Sequence, residues 1–325
     1  MQHFRALALA ATALAFSIAP ALAFEPDSPE CIAPAKPGGG FDLTCRIAAE
    51  GLKASGQLDQ PMRVTFMPGG IGAVAYNHMN TTRNDDGNAI VAFSGGSLLN
   101  LAQGKFGQFG VDDARWLASA GTDYGAIVVK ADAPWKDLKE LLDAMKSDLT
   151  SIVVGAGVTI GSQDWMKAAL LAQAAGADPK QMRYVAFEGG GESITNLLGG
   201  HIQVYTGDIS EQGPHIEAGE VRVLAVLAPE RLPAPYDQIP TAVEQGADVT
   251  WEIIRGYYMG PKVSDEAYDW WVDHFEAMYG TPEYAKVRED KGLFELNMAG
   301  DELTKYVKER VAFYKDLAQK AGLTQ

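Results

Sequence analysis

Short apolar runs alternate with glycine-rich turns and stretches of helical periodicity along most of the chain. A strand, a turn and a helix repeated in this way are typical of α/β proteins with mainly parallel sheets. The sequence therefore predicts an α/β fold. The apolar runs lie at residues 30–36, 62–67, 89–93, 124–130, 151–154, 182–187, 203–206 and 222–227.

Two sets of strand-turn-helix units are separated near residues 121–126, and this separation predicts two lobes. After residue 251 the pattern is helical, and such a tail needs a sheet to cover. If the tail returns to the first lobe, the chain crosses between the lobes twice, as in a hinged protein that closes over a ligand. The predicted lobes are 24–123 with 252–325 (lobe I) and 124–251 (lobe II).

Residues 1–23 have the pattern of a secretory signal peptide. One Arg precedes an apolar stretch that ends in the small-residue cleavage site Ala21-Leu22-Ala23. A retained membrane anchor is the weaker alternative because the apolar run is short for a membrane span. We therefore expect export to the periplasm, with cleavage after Ala23.

The chain contains two cysteines, Cys31 and Cys45, and both belong to the predicted mature protein. Disulfides persist in exported proteins, and one that closes a loop of this length contributes roughly 3 kcal/mol. The alternatives are a reactive thiol or a metal site, but two cysteines without a nearby His lack the ligand spacing of zinc. We predict a Cys31–Cys45 disulfide and no metal site.

The formal net charge of −15 opposes binding to nucleic acid and to anionic membranes. The same charge argues against an anionic small ligand, but net charge governs only the field far from the protein. Inside a cleft, a carboxylate responds to nearby N–H groups and helix ends instead. An acidic protein can therefore bind an acid.

At least four glycine-rich turns lead from a strand into a helix, where backbone N–H groups bind anions without a cationic side chain. Ligands of open α/β sheets bind at the carboxyl ends of the strands, where these turns lie. Turns in both lobes predict an anion-binding cleft. Asp42 either caps the helix after the first turn, pairing with Arg46, or also contacts the ligand. Three cations that could add charge, Lys36, Arg183 and Arg255, are each interpreted as surface residues.

The motifs of common cofactor-binding and hydrolytic enzymes are absent from the sequence. The Gly104-Lys105 pair lacks the other residues of a P-loop, and Gly155, Gly157 and Gly161 miss the dinucleotide-binding spacing by one residue. No serine has the Gly-x-Ser-x-Gly frame, and no two histidines have zinc-protease spacing. We expect no cofactor and no enzymatic activity.

Several segments are ordinary alone but specific together. They are Pro37-Gly38-Gly39-Gly40-Phe41-Asp42-Leu43-Thr44-Cys45-Arg46, Pro68-Gly69-Gly70-Ile71-Gly72, Phe187-Glu188-Gly189-Gly190-Gly191-Glu192, Leu197-Leu198-Gly199-Gly200, residues 216–226, Arg231, Pro240-Thr241 and Gly246. With them the chain resembles the periplasmic solute-binding components of tripartite tricarboxylate transporters, also called Bug receptors. The resemblance covers essentially the whole predicted mature chain.

The resemblance implies a two-lobed periplasmic binding protein, a Venus flytrap in which each lobe is a mainly parallel sheet flanked by helices. It implies a small carboxylate ligand, either a tricarboxylate such as citrate or a C4-dicarboxylate, delivered to a large and a small permease subunit. A monomer is expected. The alternatives are an aromatic acid or an amino acid as the ligand, or a sensor that reports occupancy to a signalling partner.

In this family, turns from both lobes hold the carboxylate mainly through backbone N–H groups and bridging waters. The resemblance therefore implies a set of ligand-binding positions in this chain. They are Gly40, Phe41, Asp42, Gly69, Gly70, Ile71, Gly72, Ser94, Ser97, Gly161, Ser162, Gly189 and Gly190. Asp208, which follows the strand predicted at residues 203–206, is also expected to bind the ligand.

Overall fold

The computed structural model describes residues 24–157 and 160–320, and in these residues it contains ten strands and ten α-helices. The strands are β1 (Glu30–Ala33), β2 (Arg63–Phe66), β3 (Ala89–Ser94), β4 (Arg115–Tyr124), β5 (Ala126–Lys130), β6 (Val153–Gly157), β7 (Arg183–Phe187), β8 (Val204–Tyr205), β9 (Val221–Val226) and β10 (Glu252–Met259). The helices are α1 (Gly40–Ala54), α2 (Ala73–Thr81), α3 (Gly95–Ala102), α4 (Leu138–Asp148), α5 (Gln163–Ala174), α6 (Gly190–Leu198), α7 (Gly213–Glu217), α8 (Asp265–Tyr279), α9 (Pro282–Asp290) and α10 (Gly300–Lys320).

The predicted signal peptide, residues 1–23, lies outside the described residues. Val158 and Thr159, which follow β6 in the sequence, also lie outside them. Within the part of the chain that the structure describes, no helix combines the length and apolarity needed to cross a membrane.

The first sheet has the strand order β2-β1-β3-β10-β4. Strand β1 runs parallel to β2 and β3, whereas β10 runs antiparallel to β3 and β4. On one face, Ile47 of α1 packs in a buried cluster with Trp271 and Phe275 of α8. On the other face, Leu99 of α3 and Val307 of α10 belong to a second cluster. Helices therefore cover both faces.

The second sheet has the strand order β7-β6-β8-β5-β9. Strand β6 runs parallel to β7 and β8, and β5 runs antiparallel to β8 and β9. Leu141 of α4 and Leu171 of α5 are buried in one apolar cluster, and Leu197 of α6 is buried in another. Two sheets flanked by helices confirm the predicted α/β fold class, and each sheet contains one strand that is antiparallel to both neighbours.

The chain passes between the two sheets twice. Gly125 alone separates β4 of the first sheet from β5 of the second, and residues 227–251 lead back from β9 to β10. The two crossings lie side by side, because the Gly125 N–H donates to the Trp251 carbonyl (3.0 Å) and the Leu227 N–H donates to the Gly125 carbonyl (2.7 Å). A Cβ on Gly125 would lie 2.6 Å from Lys167 Cδ, so only glycine fits at this crossing.

Two sequence-based expectations differ from the structure. The pattern after residue 251 was expected to be helical, but residues 252–259 form β10 between β3 and β4. Because seven of its eight residues are buried, β10 lacks the alternating pattern that would have identified it. The strand expected at residues 124–130 is β5 from Ala126 to Lys130, but its first residue, Tyr124, ends β4 of the other sheet.

The predicted disulfide is confirmed. The Cys31 and Cys45 sulfur atoms are bonded at 2.02 Å, and the two Cα atoms lie 5.4 Å apart. The bond connects β1 to the second turn of α1, and the glycine-rich turn at residues 37–40 lies inside the loop it closes. It therefore ties the start of α1 to the first sheet.

Candidate ligand-binding cleft

A small cavity lies where turns from the two sheets meet. Its volume is about 50 Å³, enough for a few water molecules but well below the ~300–1,000 Å³ of most ligand pockets. Eight residues that the sequence predicted as ligand-binding line this cavity. They are Gly40, Phe41, Gly69, Ile71, Ser94, Gly189, Gly190 and Asp208.

The N-termini of helices from both sheets point at the cavity. The N-caps are Gly39 for α1, Ser94 for α3, Ser162 for α5 and Gly189 for α6. At Gly189 the φ of 149° places the backbone in a region that side chains disfavour. Because the first N–H groups of each helix have no partner in the helix, they make this end electropositive.

The turn before α2 adds a strained residue to the same wall. Ile71 has a φ of 52° and lies between Gly70 (φ 60°) and Gly72 (φ 103°). For a β-branched residue this left-handed conformation costs on the order of 1–3 kcal/mol, and such strain clusters at functional sites. The Asn100 amide holds the turn by donating to the Gly70 carbonyl at 3.2 Å.

The first residues of helices α1 and α6 lie close together. A Cβ on Gly39 would lie 3.1 Å from the Gly190 nitrogen, and one on Gly40 would lie 2.0 Å from Arg255 Nη1. A Cβ on Gly190 would lie 1.9 Å from Glu211 Oε2. The glycines are therefore needed for this close approach of backbone to side chain, and not only for the turns.

Five side chains, of which four are buried and Asp164 is slightly exposed, form what we call the hinge charge cluster. Its members are Asp123, Asp164, Lys167, Asp208 and Arg255. Arg255 Nη2 lies 2.8 Å from Asp123 Oδ2 and 2.7 Å from Asp208 Oδ2. Lys167 Nζ lies 2.7 Å from Asp208 Oδ1 and 2.8 Å from Asp164 Oδ1, so Asp208 bridges the two cations. The cluster joins β4 and β10 of the first sheet to α5 and the residue after Gly207 in the second.

Burial and mutual charge shift the titration of this cluster. Burial raises the pKa of Asp123 and Asp164, and the attraction of Arg255 and Lys167 offsets only part of the increase. Burial alone would lower the pKa of the Lys167 ammonium, but Asp164 and Asp208 raise it above its ordinary value. Lys167 and Arg255 therefore stay charged. Their positive charges stabilise the ionised forms of the neighbouring aspartates.

Glu211 is a further, mostly buried carboxylate at the cavity. The Gly40 N–H donates to its Oε1 at 2.7 Å, and the Tyr205 hydroxyl donates to its Oε2 at 2.5 Å. Its distance to Arg255 Nη2 is 3.8 Å. Burial, followed by the negative charge of Asp208, raises the pKa of Glu211 to about 7, and Arg255 offsets only part of this increase.

Gln163, the first residue of α5, also lines the cavity and is 8% exposed. Its Nε2 faces Asp208 Oδ2 at 3.5 Å, and its buried Oε1 has no hydrogen-bond partner among the described residues. A Cβ on Gly96 would lie 3.3 Å from this oxygen. The Gln163 side chain therefore lies across the cleft against the first turn of α3.

Six predicted positions do not line the cavity: Asp42, Gly70, Gly72, Ser97, Gly161 and Ser162. Asp42 is the third residue of α1, so Gly39 takes the N-cap place expected for it. Its Oδ2 accepts from the Gly38 N–H at 2.8 Å, and its Oδ1 lies 2.8 Å from Arg46 Nε, which is the expected pair. Its carboxylate thus holds the turn from outside the cavity.

Two of the predicted serines, Ser97 and Ser162, make hydrogen bonds at the first turns of helices. Ser97 Oγ accepts from the Ser94 N–H at 3.3 Å in a capping box. Ser162 Oγ accepts from the Trp165 N–H at 3.2 Å and donates to the Gly157 carbonyl at 2.9 Å. These contacts order the turns whose N–H groups surround the cavity.

Charged and polar residues that the sequence analysis did not assign to the site also line the cavity. They are Gln163, Asp164, Glu188, Tyr205, Glu211 and Arg255. The surface interpretation of Arg255 is wrong, since it is 2% exposed. A single Arg inside the apolar run of residues 252–259 was the available signal, because such a residue needs a buried partner. Lys36 and Arg183 do lie at the surface.

No group of three or more His, Cys, Asp or Glu side chains in residues 24–157 and 160–320 is arranged to hold a metal ion. The arrangement instead offers backbone N–H groups on four helix starts, with an internal carboxylate against one of them. Such a site can bind and release an anion, and its walls belong to two sheets joined by two crossings.

A protein-family model described as the tripartite tricarboxylate transporter family receptor, TctC, matches residues 44–323. The UPF0065 protein in the gbd 5′ region of Cupriavidus necator is 25% identical over 298 residues, which is 89% of this chain and 85% of that protein. The periplasmic binding protein BugD aligns with a TM-score of 0.82 at 20% identity, covering 92% of this chain and 99% of BugD. MatC from Rhodopseudomonas palustris, with bound malate, aligns with a TM-score of 0.76 at 19% identity, covering 89% of this chain and 98% of MatC.

Proposed function

Because the chain belongs to the tripartite tricarboxylate transporter receptor family, we propose that it binds a small carboxylate outside the cytoplasm and delivers it to a transporter. The proposed ligand is a tricarboxylate such as citrate or a C4-dicarboxylate. The proposed partners are the large and small permease subunits of that transporter. The protein acts as a receptor and not as an enzyme, and it acts as a monomer.

The observation that carries this proposal is the convergence of four helix N-termini from both sheets on one cavity. Helices α1 and α3 follow strands of the first sheet, and α5 and α6 follow strands of the second. Electropositive backbone on both walls suits a ligand with more than one carboxylate, since each wall can bind one of them. The malate bound to MatC is a ligand of this chemical class.

The two crossings at Gly125 and at residues 227–251 give the proposed mechanism. A ligand that enters an open cleft binds one wall first, and closure lets the second wall donate to it. Contacts made only in the closed form shift the equilibrium toward closure. The permease then recognises the closed receptor.

The proposed ligand contacts are the backbone N–H groups of Gly40, Phe41, Gly189 and Gly190, together with Ser94. Because the cavity of about 50 Å³ is too small for a dicarboxylate, the walls or the side chains between them move when the ligand enters. Asp42 and Ser162 support the turns, as their hydrogen bonds indicate.

The proposed site of action is the periplasm, with residues 1–23 removed after Ala23. The fold likeness to the periplasmic binding protein BugD supports this location. N-terminal sequencing of the protein purified from the native periplasm tests this proposal. Phe24 is the expected first residue.

A thermal-shift screen tests the proposed function. The mature protein is heated with citrate, malate, succinate and tricarballylate, and with neutral sugars as controls. A ligand at ~100 times its dissociation constant adds about 2.7 kcal/mol to the free energy of unfolding. Stabilisation by at least one carboxylate and by no sugar is expected. Stabilisation by sugars alone would contradict the proposal.

A further inference from the structure

The Glu211 carboxylate occupies the space between two helix N-termini. Its Oε1 accepts from the first N–H of α1, that of Gly40, at 2.7 Å. Its Oε2 lies 1.9 Å from the place of a Cβ on Gly190, the first residue of α6. A negative charge is favourable at either helix end alone, and here one carboxylate accepts from the start of α1 and lies close to the start of α6.

Glu211 is bound less firmly than the acids of the hinge charge cluster. Asp123 and Asp208 each have a cationic nitrogen within 2.8 Å, whereas the nearest cation to Glu211 is Arg255 Nη2 at 3.8 Å. Glu211 ends a short turn, Ile209–Glu211, and its other partner is the Tyr205 hydroxyl. Its side chain can therefore leave the cavity without breaking an ion pair of hydrogen-bonding length.

The limited volume of the cavity also bears on Glu211. The cavity is too small for a dicarboxylate, and the backbone of the turns is held by caps and by the disulfide. Two carboxylates cannot share the N–H of Gly40, since their like charges repel each other at that distance. A ligand carboxylate that binds the start of α1 must therefore replace that of Glu211.

We infer that Glu211 is an internal substitute for a ligand carboxylate, which holds the α1–α6 gap in the unliganded protein and which the arriving solute displaces. This inference rests on the proposed function and assigns to one residue the control of ligand affinity at that same site. Glu211 is here a competitor of the ligand and makes no favourable contact with it in the bound state.

Calorimetric titration of malate and citrate into the mature protein tests the inference. Glu211→Ala removes the competitor and is expected to bind the acid about tenfold more tightly or better. Glu211→Gln keeps the shape and an oxygen for Gly40 but removes the charge, so a smaller gain is expected. Glu230→Gln is the control, since it removes the same charge at an exposed position after β9. Its affinity for the acid should equal that of the wild type.

Hydrogen exchange at the start of α1 gives a readout that does not depend on the sign of an affinity change. In the wild type the Gly40 amide is protected with and without malate. In Glu211→Ala it exchanges faster without malate, and malate restores the protection. A merely structural role of Glu211 would leave the amide unprotected after malate is added.

The outcomes separate the two proposals. If the wild type binds a carboxylate and Glu211→Ala binds it equally or more weakly, the inference is wrong and the proposed function stands. If neither the wild type nor any variant binds a carboxylate in the screen, the proposed function is wrong and the inference with it.

Discussion

The hinge charge cluster and the glycine-rich turns meet at the same cavity, but they manage charge in opposite ways. In the cluster, the charged groups of Lys167 and Arg255 both lie within 2.8 Å of the Asp208 carboxylate. The charges of these three side chains are therefore paired inside the protein. In the turns, the positive charge comes from the backbone at the starts of helices such as α1 and α6, which faces the cavity. The cluster pairs charges between side chains, whereas the turns present backbone N–H groups to the cavity.

The difference between the two regions shows where binding specificity can change. Removing one member of a buried ion cluster leaves another charge without a partner, which is costly. Backbone N–H groups can donate to any anion that fits in the cavity, and a change of side chain does not remove them. Glu211 stands between the two regions, since it contacts the turn at Gly40 directly and the cluster only at 3.8 Å.

The largest expected effect comes from Arg255→Met, which breaks the cluster. The substitution removes the guanidinium that pairs with Asp123 and Asp208, and Asp123 is 0% exposed. The free energy of unfolding is therefore expected to fall by about 3–5 kcal/mol. Urea unfolding at pH 7.5 measures it.

Arg46→Met is the matched control for this substitution. Arg46 pairs with the buried Asp42 at 2.8 Å, but the arginine is half exposed and water can take its place, so the expected loss is only about 1 kcal/mol. Equal losses in both variants would show that the buried cluster is held no more strongly than a pair with one exposed partner.

A smaller stability effect, but a large binding effect, is expected from Gly190→Ala in the turns. The new Cβ would lie 1.9 Å from Glu211 Oε2 and 2.7 Å from the Tyr205 hydroxyl, so no carboxylate fits between α1 and α6. Crowding of this kind costs about 1–3 kcal/mol of stability. Carboxylate binding measured by calorimetry should fall more than tenfold.

Gly280→Ala is the control for Gly190→Ala. Its Cβ would meet its nearest neighbour, the Ala277 carbonyl, at 3.9 Å, and its φ of −76° suits alanine. Stability and binding should both stay at wild-type levels. Normal binding by Gly190→Ala would remove the α1–α6 gap from the site.

The sequence predicted the turns better than the cluster, and the reason is physical. Turns such as those at Gly69 and Gly189 are local features, because a positive φ is encoded by glycine at one position. The pairing of β10 is not local, since Arg255 aligns with Ser94 and with Gly121, which are more than a hundred residues away. An apolar run gives no indication of which strands will flank it.

Two charged residues of the site, Lys167 and Glu211, were missed for the same reason. Lys167 lies in a helix whose pattern allows a surface position, and only the carboxylates of Asp164 and of Asp208, which lies after β8, make a buried ammonium acceptable. Glu211 follows β8 in a short turn that has no glycine-rich signal. The Cys31–Cys45 bond was predictable because only one pairing of two cysteines exists.

The smallest expected effect is a pH dependence that separates Glu211 from the cluster. Burial and Asp208 raise its pKa to about 7, while Arg255 lowers it, and Tyr205 and Asp164 also face it. A carboxyl whose pKa is raised in the folded state stabilises the protein at low pH, below about 4.5. That stabilisation is lost as the pH rises through 7.

Each unit of pKa shift is worth about 1.4 kcal/mol, but an ionised Glu211 can relax toward solvent, so the expected loss is on the order of 1–2 kcal/mol. Urea unfolding of the ligand-free wild type and of Glu211→Gln at pH 5 and pH 8 measures it. The other acids titrate in both proteins, so the difference between the two curves reports Glu211 alone. It should favour Glu211→Gln increasingly as the pH rises, because the amide never ionises. A difference that does not change with pH would mean that Glu211 is ionised throughout and held as firmly as the acids of the cluster.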